Sequence, residues 1–250
     1  MMPGVCPACG VAYNKWREKV ARAMAPAEQP RALEEGELEA QLEPLEAPEP
    51  WWLRLFHYAC FMPSDRHESA FWGHCVILVV FVLWGFSIML DGIDGAALGT
   101  SFLHLVNLPF HEYGHVMFSP FGEWWMLLGG SLFQILLPWF PLLYFMIAQR
   151  DNFAASLMLW WSGQNFLDVA PYIADAPTRY LPLTTGNEDS HDWWNLLRIS
   201  DALDWAGPLS VICFALGVAV MLLAMLWGGF LLRVEWIGRT RGEAVDVQED

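Results

Sequence analysis

The sequence predicts an all-α polytopic membrane protein with about five transmembrane helices. Three observations carry that expectation. Of 250 residues, 55% are hydrophobic and only 16% are charged, where a soluble domain carries about a quarter charged residues. The apolar residues, 15 Trp and 16 Phe among them, gather in runs of about twenty, the length that crosses a bilayer's hydrocarbon. The charge is also segregated. Net charge is −15, yet eight Glu fall between Glu28 and Glu49 alone, so the acidity describes a tail and not the apolar part. Nothing in it points to a nucleic-acid partner.

From the N-terminus, residues 1–25 open with Cys6-Pro-Ala-Cys9-Gly, one knuckle of a zinc ribbon. A structural zinc takes four ligands and no second C-x-x-C follows, so Cys60, His57 or another chain would have to supply the rest; otherwise the knuckle is a remnant. No basic-then-apolar leader precedes it. Residues 26–50 are Pro- and Glu-rich and read as a tether. Trp51 to Met62, aromatic with Arg54 and His57, is too short to span, and residues 51–68 read as an amphipathic helix lying at the membrane interface. The transmembrane domain is expected over 69–233.

The first span is Ala70 to Leu90. Asp91 to Thr100 is a Gly-rich turn with two acids and no base, which the positive-inside rule puts outside the cell, leaving the N-terminus cytoplasmic. The second span lies between Ala96 and Phe121. The third, Glu123 to Ala148, opens with Gly129-Gly130-Ser131 for close helix approach and is expected to kink at Pro138 and Pro141. The fourth, Phe153 to Ala174, carries Ser162, Gln164, Asn165 and Asp168. A polar interlude over 176–204 precedes the fifth, Trp205 to Leu232, and residues 234–250 form a charged tail. Five spans put the C-terminus outside, whereas Arg233, Arg239 and Arg241 favour the inside; both orientations stay open. The localisation this gives is an integral protein of a prokaryotic inner or cell membrane, with lipid as its first partner.

The chemistry concentrates in the second span, which holds Asn107-Leu-Pro-Phe-His111-Glu112-Tyr-Gly-His115. Residues four apart share a helix face, so His111 and His115 can present two imidazole nitrogens to one metal ion, zinc by preference. Glu112 is then placed as the base for a water activated by that metal. Chance matches to H-E-x-x-H at this composition number about 0.01. Ionisable groups at membrane depth cost about 2.5–3.5 kcal/mol each, so three together need a shared purpose, and a metal supplies one.

A catalytic zinc wants a third protein ligand. Asp168 is the first choice, because its place in an apolar helix shares a depth with the two histidines. His191, with Asp192 beside it, is the rival. Asp175 is read as interfacial. His104, seven residues before His111, lies about 10 Å away by helical rise, too far for the same ion. Asn107, Asn165 and Gln134 are candidate polar supports for a ligand or a substrate.

H-E-Y-G-H in one span, a second span, and then Asn165 and Leu167-Asp168 in a third resemble the three-helix core of the site-2 protease family of intramembrane zinc metalloproteases, over residues 96–176. The resemblance implies a metalloprotease-like core, His111 and His115 as zinc ligands with Asp168 completing them, and Glu112 as the general base. It implies hydrolysis of a peptide bond in or next to a substrate's transmembrane segment. Two other readings compete: a non-proteolytic scaffold or sensor with a structural metal, and a multi-histidine membrane oxygenase or hydrolase drawing on His104 and His191.

Overall fold

A computed structural model describes residues 50–61, 68–93 and 101–246, with side chains described up to residue 240. The Cys6/Cys9 knuckle, the acidic tether, residues 94–100 of the Gly-rich turn and the end of the tail lie outside the described residues. The described part is helical, with no strand. The helices are α1 (Trp51–Ala59), α2 (Glu68–Asp91), α3 (Phe102–Phe118), α4 (Glu123–Leu136), α5 (Trp139–Tyr144), α6 (Asn152–Ala174), α7 (Asp192–Ile199) and α8 (Ala206–Asp246). Among the described residues, three stretches are long and apolar enough to cross a membrane: Glu68–Asp91, Glu123–Gln149 and Leu203–Thr240.

Helix α6 is the axis of the bundle: fourteen of its 23 residues are buried. Trp160 and Leu167 pack with Ile88 of α2 and Met221, Ala224 and Met225 of α8. The backbones of α6 and α8 approach closely where Gly163 meets Gly217 and Met221, and a Cβ on Gly217 would lie 2.8 Å from the Gly163 carbonyl oxygen. Outward-facing side chains of α2 and α8 are apolar and bare, Leu83 at 67% and Leu226 at 73% exposure, a surface suited to lipid and not to water.

Helices α3 and α4 form a tight antiparallel hairpin. Ser101 caps α3 by accepting from His104 N–H, while Pro109 inside the helix removes one backbone donor. The turn runs through Ser119-Pro120-Phe121 to Gly122, whose φ of 101° is one an L side chain rarely adopts. The two helices then cross at Gly114 and Gly129. A Cβ on Gly114 would come within 2.3 Å of the Gly129 carbonyl oxygen, so only glycine allows this crossing.

The third expected span is interrupted at Pro138, whereas Pro141 falls within the first turn of α5. Helix α4 stops at Leu136, α5 begins at Trp139 after Pro138, and a π-turn over Phe145–Gln149 completes the stretch. Helix α1 is shorter than the interfacial helix expected over 51–68, ending at Ala59. Its aromatic face is bare, Trp51 at 76% exposure, but its C-terminal end is tied down. Tyr58 donates to the Met146 carbonyl, and the carbonyls of Tyr58, Phe61 and Ala59 accept from Asn152 and Trp227.

Candidate metal centre

Helix α3 turns His111 and His115 to the same side, with ring centroids 4.9 Å apart. His115 Nδ1 lies 2.8 Å from the carbonyl oxygen of Met126 on α4. A carbonyl only accepts, so Nδ1 carries the proton, and in the neutral ring Nε2 is a bare lone pair. His111 Nδ1 lies 3.2 Å from Gln134 Oε1, with the same consequence. A carboxylate oxygen, Asp192 Oδ2, sits 3.2 Å from each Nε2. Three acceptors thus converge on one point, and only a cation or added protons can hold them there.

The spacing fits a metal. Zinc with nitrogen and oxygen ligands at about 2.0–2.1 Å on tetrahedral corners puts ligand atoms about 3.3–3.4 Å apart, close to the 3.2 Å observed. His111, His115 and Asp192 could therefore hold a metal ion; their ligand atoms all lie within 4.8 Å of one another. The room for it depends on Gly130 of α4. A Cβ there would stand 2.5 Å from His115 Nε2 and 2.7 Å from His111 Nε2.

Asp192 comes from a different part of the chain and is held by several means. It is the first residue of α7, whose N-terminus favours a negative charge. Tyr172 of α6 both donates to Asp192 Oδ2 at 3.0 Å and accepts from Asp192 N–H at 2.9 Å. Helix α7 is fastened to α4 by Trp193 donating to Ser131 and Trp124 donating to Ser200. Burial pushes the Asp192 carboxyl up, but the added protons on His111 and His115 that would stand in for a cation outweigh it and hold its pKa well below the usual carboxylate range.

Asp168, expected as the third ligand, stands elsewhere. Its carboxylate accepts from Gln134 at 2.7 Å and from Asn107 at 3.2 Å, and lies 2.9 Å from His104 Nδ1. The apolar helix does demand partners for it, but they are amides and an imidazole. His191, the rival, is fully buried and caps α7, its Nδ1 accepting from Trp194 N–H. It stacks on Tyr172 at 4.3 Å, and its Nε2 is 3.4 Å from Asp175, long for a hydrogen bond. Burial pushes its imidazole below the ordinary value despite the Asp175 charge. The neighbour on the same helix start, Asp192, reaches the histidines instead. The sequence did carry a signal for it, an acid at a helix N-terminus beside a histidine, but that pattern serves equally for helix capping.

Of the polar supports, Asn107 is buried, donating to Gln164 and Asp168 and accepting from Trp161. Asn165 is fully buried, with neither amide atom partnered among the described residues. Asp175 knits the loop after α6, accepting from Thr178 Oγ1 and the N–H groups of Tyr180 and Leu181.

Glu112 is exposed and accepts from Thr184 Oγ1 at 2.9 Å. It shares one cavity of about 1080 Å³ with His111, His115 and Asp192, walled by Leu108, Val169, Pro171 and the 180–185 loop. No family model matches the chain, and neither a curated protein nor a solved structure matches it.

Proposed function

We propose that the protein is an intramembrane zinc metallopeptidase, resembling the site-2 protease family in design, that cuts a peptide bond in or next to a transmembrane segment. In this reading α3 and α6 cross the membrane beside the three apolar stretches, making five spans with a cytoplasmic N-terminus in a prokaryotic inner or cell membrane. The observation that carries it is the convergence of two proton-locked imidazoles and Asp192 on one point, in a cavity that also holds Glu112.

His111, His115 and Asp192 would hold the zinc. A bound zinc supplies Lewis acidity, acidifying a water and polarising a carbonyl. Glu112 is the residue that would take a proton from that water and return it to the leaving amine, so its carboxylate must be free when substrate arrives. Thr184 therefore gives up its bond to Glu112 as a substrate displaces the 180–185 loop. The apolar walls suit a hydrophobic segment. That segment must be unwound at the cut, because helical carbonyls are already hydrogen-bonded.

The scaffold reading needs a closed, four-ligand site. Three ligand residues converge among the described residues, which leaves a position open and favours hydrolysis. The oxygenase reading needs further histidines, and His104 and His191 are engaged with Asp168 and with the start of α7. The test is Glu112→Gln in the full chain, reconstituted in proteoliposomes with a panel of labelled transmembrane peptides. Zinc content should match the wild type while cleavage falls by about 10²–10⁴. Cleavage at the wild-type rate, or wild-type protein that takes up no metal, sinks the proposal.

A further inference from the structure

On the metal reading above, we infer that Asp168 is a positioning residue which sets the tautomer of His111 through Gln134. The juxtaposition runs His104 Nδ1–Asp168 Oδ1 at 2.9 Å, Asp168 Oδ2–Gln134 Nε2 at 2.7 Å, and Gln134 Oε1–His111 Nδ1 at 3.2 Å. Each joint allows one arrangement. A carboxylate can only accept, so the side-chain amide of Gln134 must turn its NH₂ toward Asp168. Its carbonyl end then faces His111, and that oxygen can only accept in turn. His111 Nδ1 is obliged to carry the proton, and Nε2 is left as the lone pair facing His115 and Asp192.

The two joints at Gln134, to Asp168 and to His111, are shielded from water, and an amide flip is expensive there. Gln134 is 5% exposed, Asp168 7% and Asn107 1%. Asn107 reinforces the arrangement, because its NH₂ also points at Asp168 Oδ2 while its carbonyl is taken by Trp161. Metal-ligating histidines generally owe their tautomer to such an outer partner, and losing it costs about 10–100-fold in metal affinity. His115 takes its proton acceptor from the backbone of Met126. For His111 the acceptor is a side chain that could flip, and a buried charge behind it prevents that.

The test uses the full chain in detergent with selectively ¹⁵N-labelled histidine. Zinc affinity comes from chelator competition, and the His111 tautomer from long-range ¹H–¹⁵N spectra. Asp168→Asn can offer Gln134 either a donor or an acceptor. It should bind zinc about 10–100-fold more weakly and lose the single Nδ1–H pattern at His111. Adding Gln134→Glu to that variant restores an acceptor-only group beside Nδ1 and should recover the tautomer and most of the affinity, which a packing role would not do. Should Asp168→Asn fail to fold, Gln134→Met removes both bonds at similar volume and should show the same loss. An Asp168→Asn protein with wild-type affinity and tautomer overturns the inference, and so does a double variant that is not rescued. If wild-type protein takes up no zinc, the metal reading fails by itself, and the relay is then judged on the metal-free spectra. The Nδ1–H signal present in wild type and lost in Asp168→Asn upholds it; the same signal in both overturns it.

Discussion

Gly130→Ala is the smallest change that tests the centre. The added methyl would stand 2.5 Å from His115 Nε2, 2.7 Å from its Cε1 and 2.7 Å from His111 Nε2. Carbon contacts are comfortable at about 3.5–4.0 Å, so both rings must retreat by about 1 Å. Neither is free to do so. His115 would have to abandon Met126 at 2.8 Å, and His111 would have to abandon Gln134. The effect on folding is modest, because overpacking costs about 1–3 kcal/mol while replacing a helical glycine returns about 1 kcal/mol. Metal binding has far less tolerance, since ligand distances must hold within about 0.2 Å. Zinc affinity should fall by at least 10–100-fold. The assay is chelator competition on the full chain, with a thermal melt in excess chelator to read folding separately. Gly73→Ala, where nothing lies within 4 Å of the added carbon, should leave zinc binding untouched. A Gly130→Ala protein that binds zinc as tightly as wild type would refute the placement of the ion between the two imidazoles.

Gly114→Ala drives a methyl to 2.3 Å from the Gly129 carbonyl oxygen, a backbone atom that cannot turn aside. Its loss of stability should reach or exceed the upper end of about 1–3 kcal/mol, read as a lower melting temperature than that of Gly130→Ala. Asp192→Ala should abolish tight zinc binding, whereas His191→Ala should cost about 1 kcal/mol through the lost cap and keep it; the reverse pattern would move the third ligand to residue 191. Asp175 supplies a pH dependence. Burial raises its pKa, but the bonds from Thr178 and from the N–H groups of Leu181 and Tyr180 bring it below the ordinary value. A group depressed on folding contributes its full stability above its unfolded pKa, about 3.9, and loses it as pH falls through the folded one. Limited proteolysis of the 176–190 loop should therefore speed up below about pH 4, and Asp175→Asn should show fast cleavage already at neutral pH.

Much of the bundle follows directly from local chemistry. The break between Leu136 and Trp139 falls at Pro138 because a ring without an N–H cannot continue the ladder. The hairpin of α3 and α4 is foreshadowed by Gly129-Gly130, although nothing in the sequence pairs Gly129 with Gly114. The span of α3 is less legible. Its 17 residues rise about 25 Å, less than the apolar run from Ala96 to Phe121 suggested. His111 and His115 are legible because their spacing is internal to one helix. Asp192 is not, because its place depends on Tyr172, Ser131 and Trp124, three tertiary contacts with no periodic trace in the chain. Asp168 drew attention for a sound reason, since a carboxylate in an apolar helix requires partners; periodicity does not say whether those partners are amides or an ion.

Two members of the triad, His111 and Asp192, lie 81 residues apart along the chain, one on a helix of the hairpin and the other at the head of a short helix beyond the 176–190 loop. An ion gripped by both would act as a removable crosslink. Chain-entropy arithmetic for a closed loop of that size gives about 4–5 kcal/mol, an upper figure because helices in a bilayer stay partly ordered when denatured. Stripping the ion would then unfasten the loop that lines the cavity, so that the same event which empties the centre also opens it.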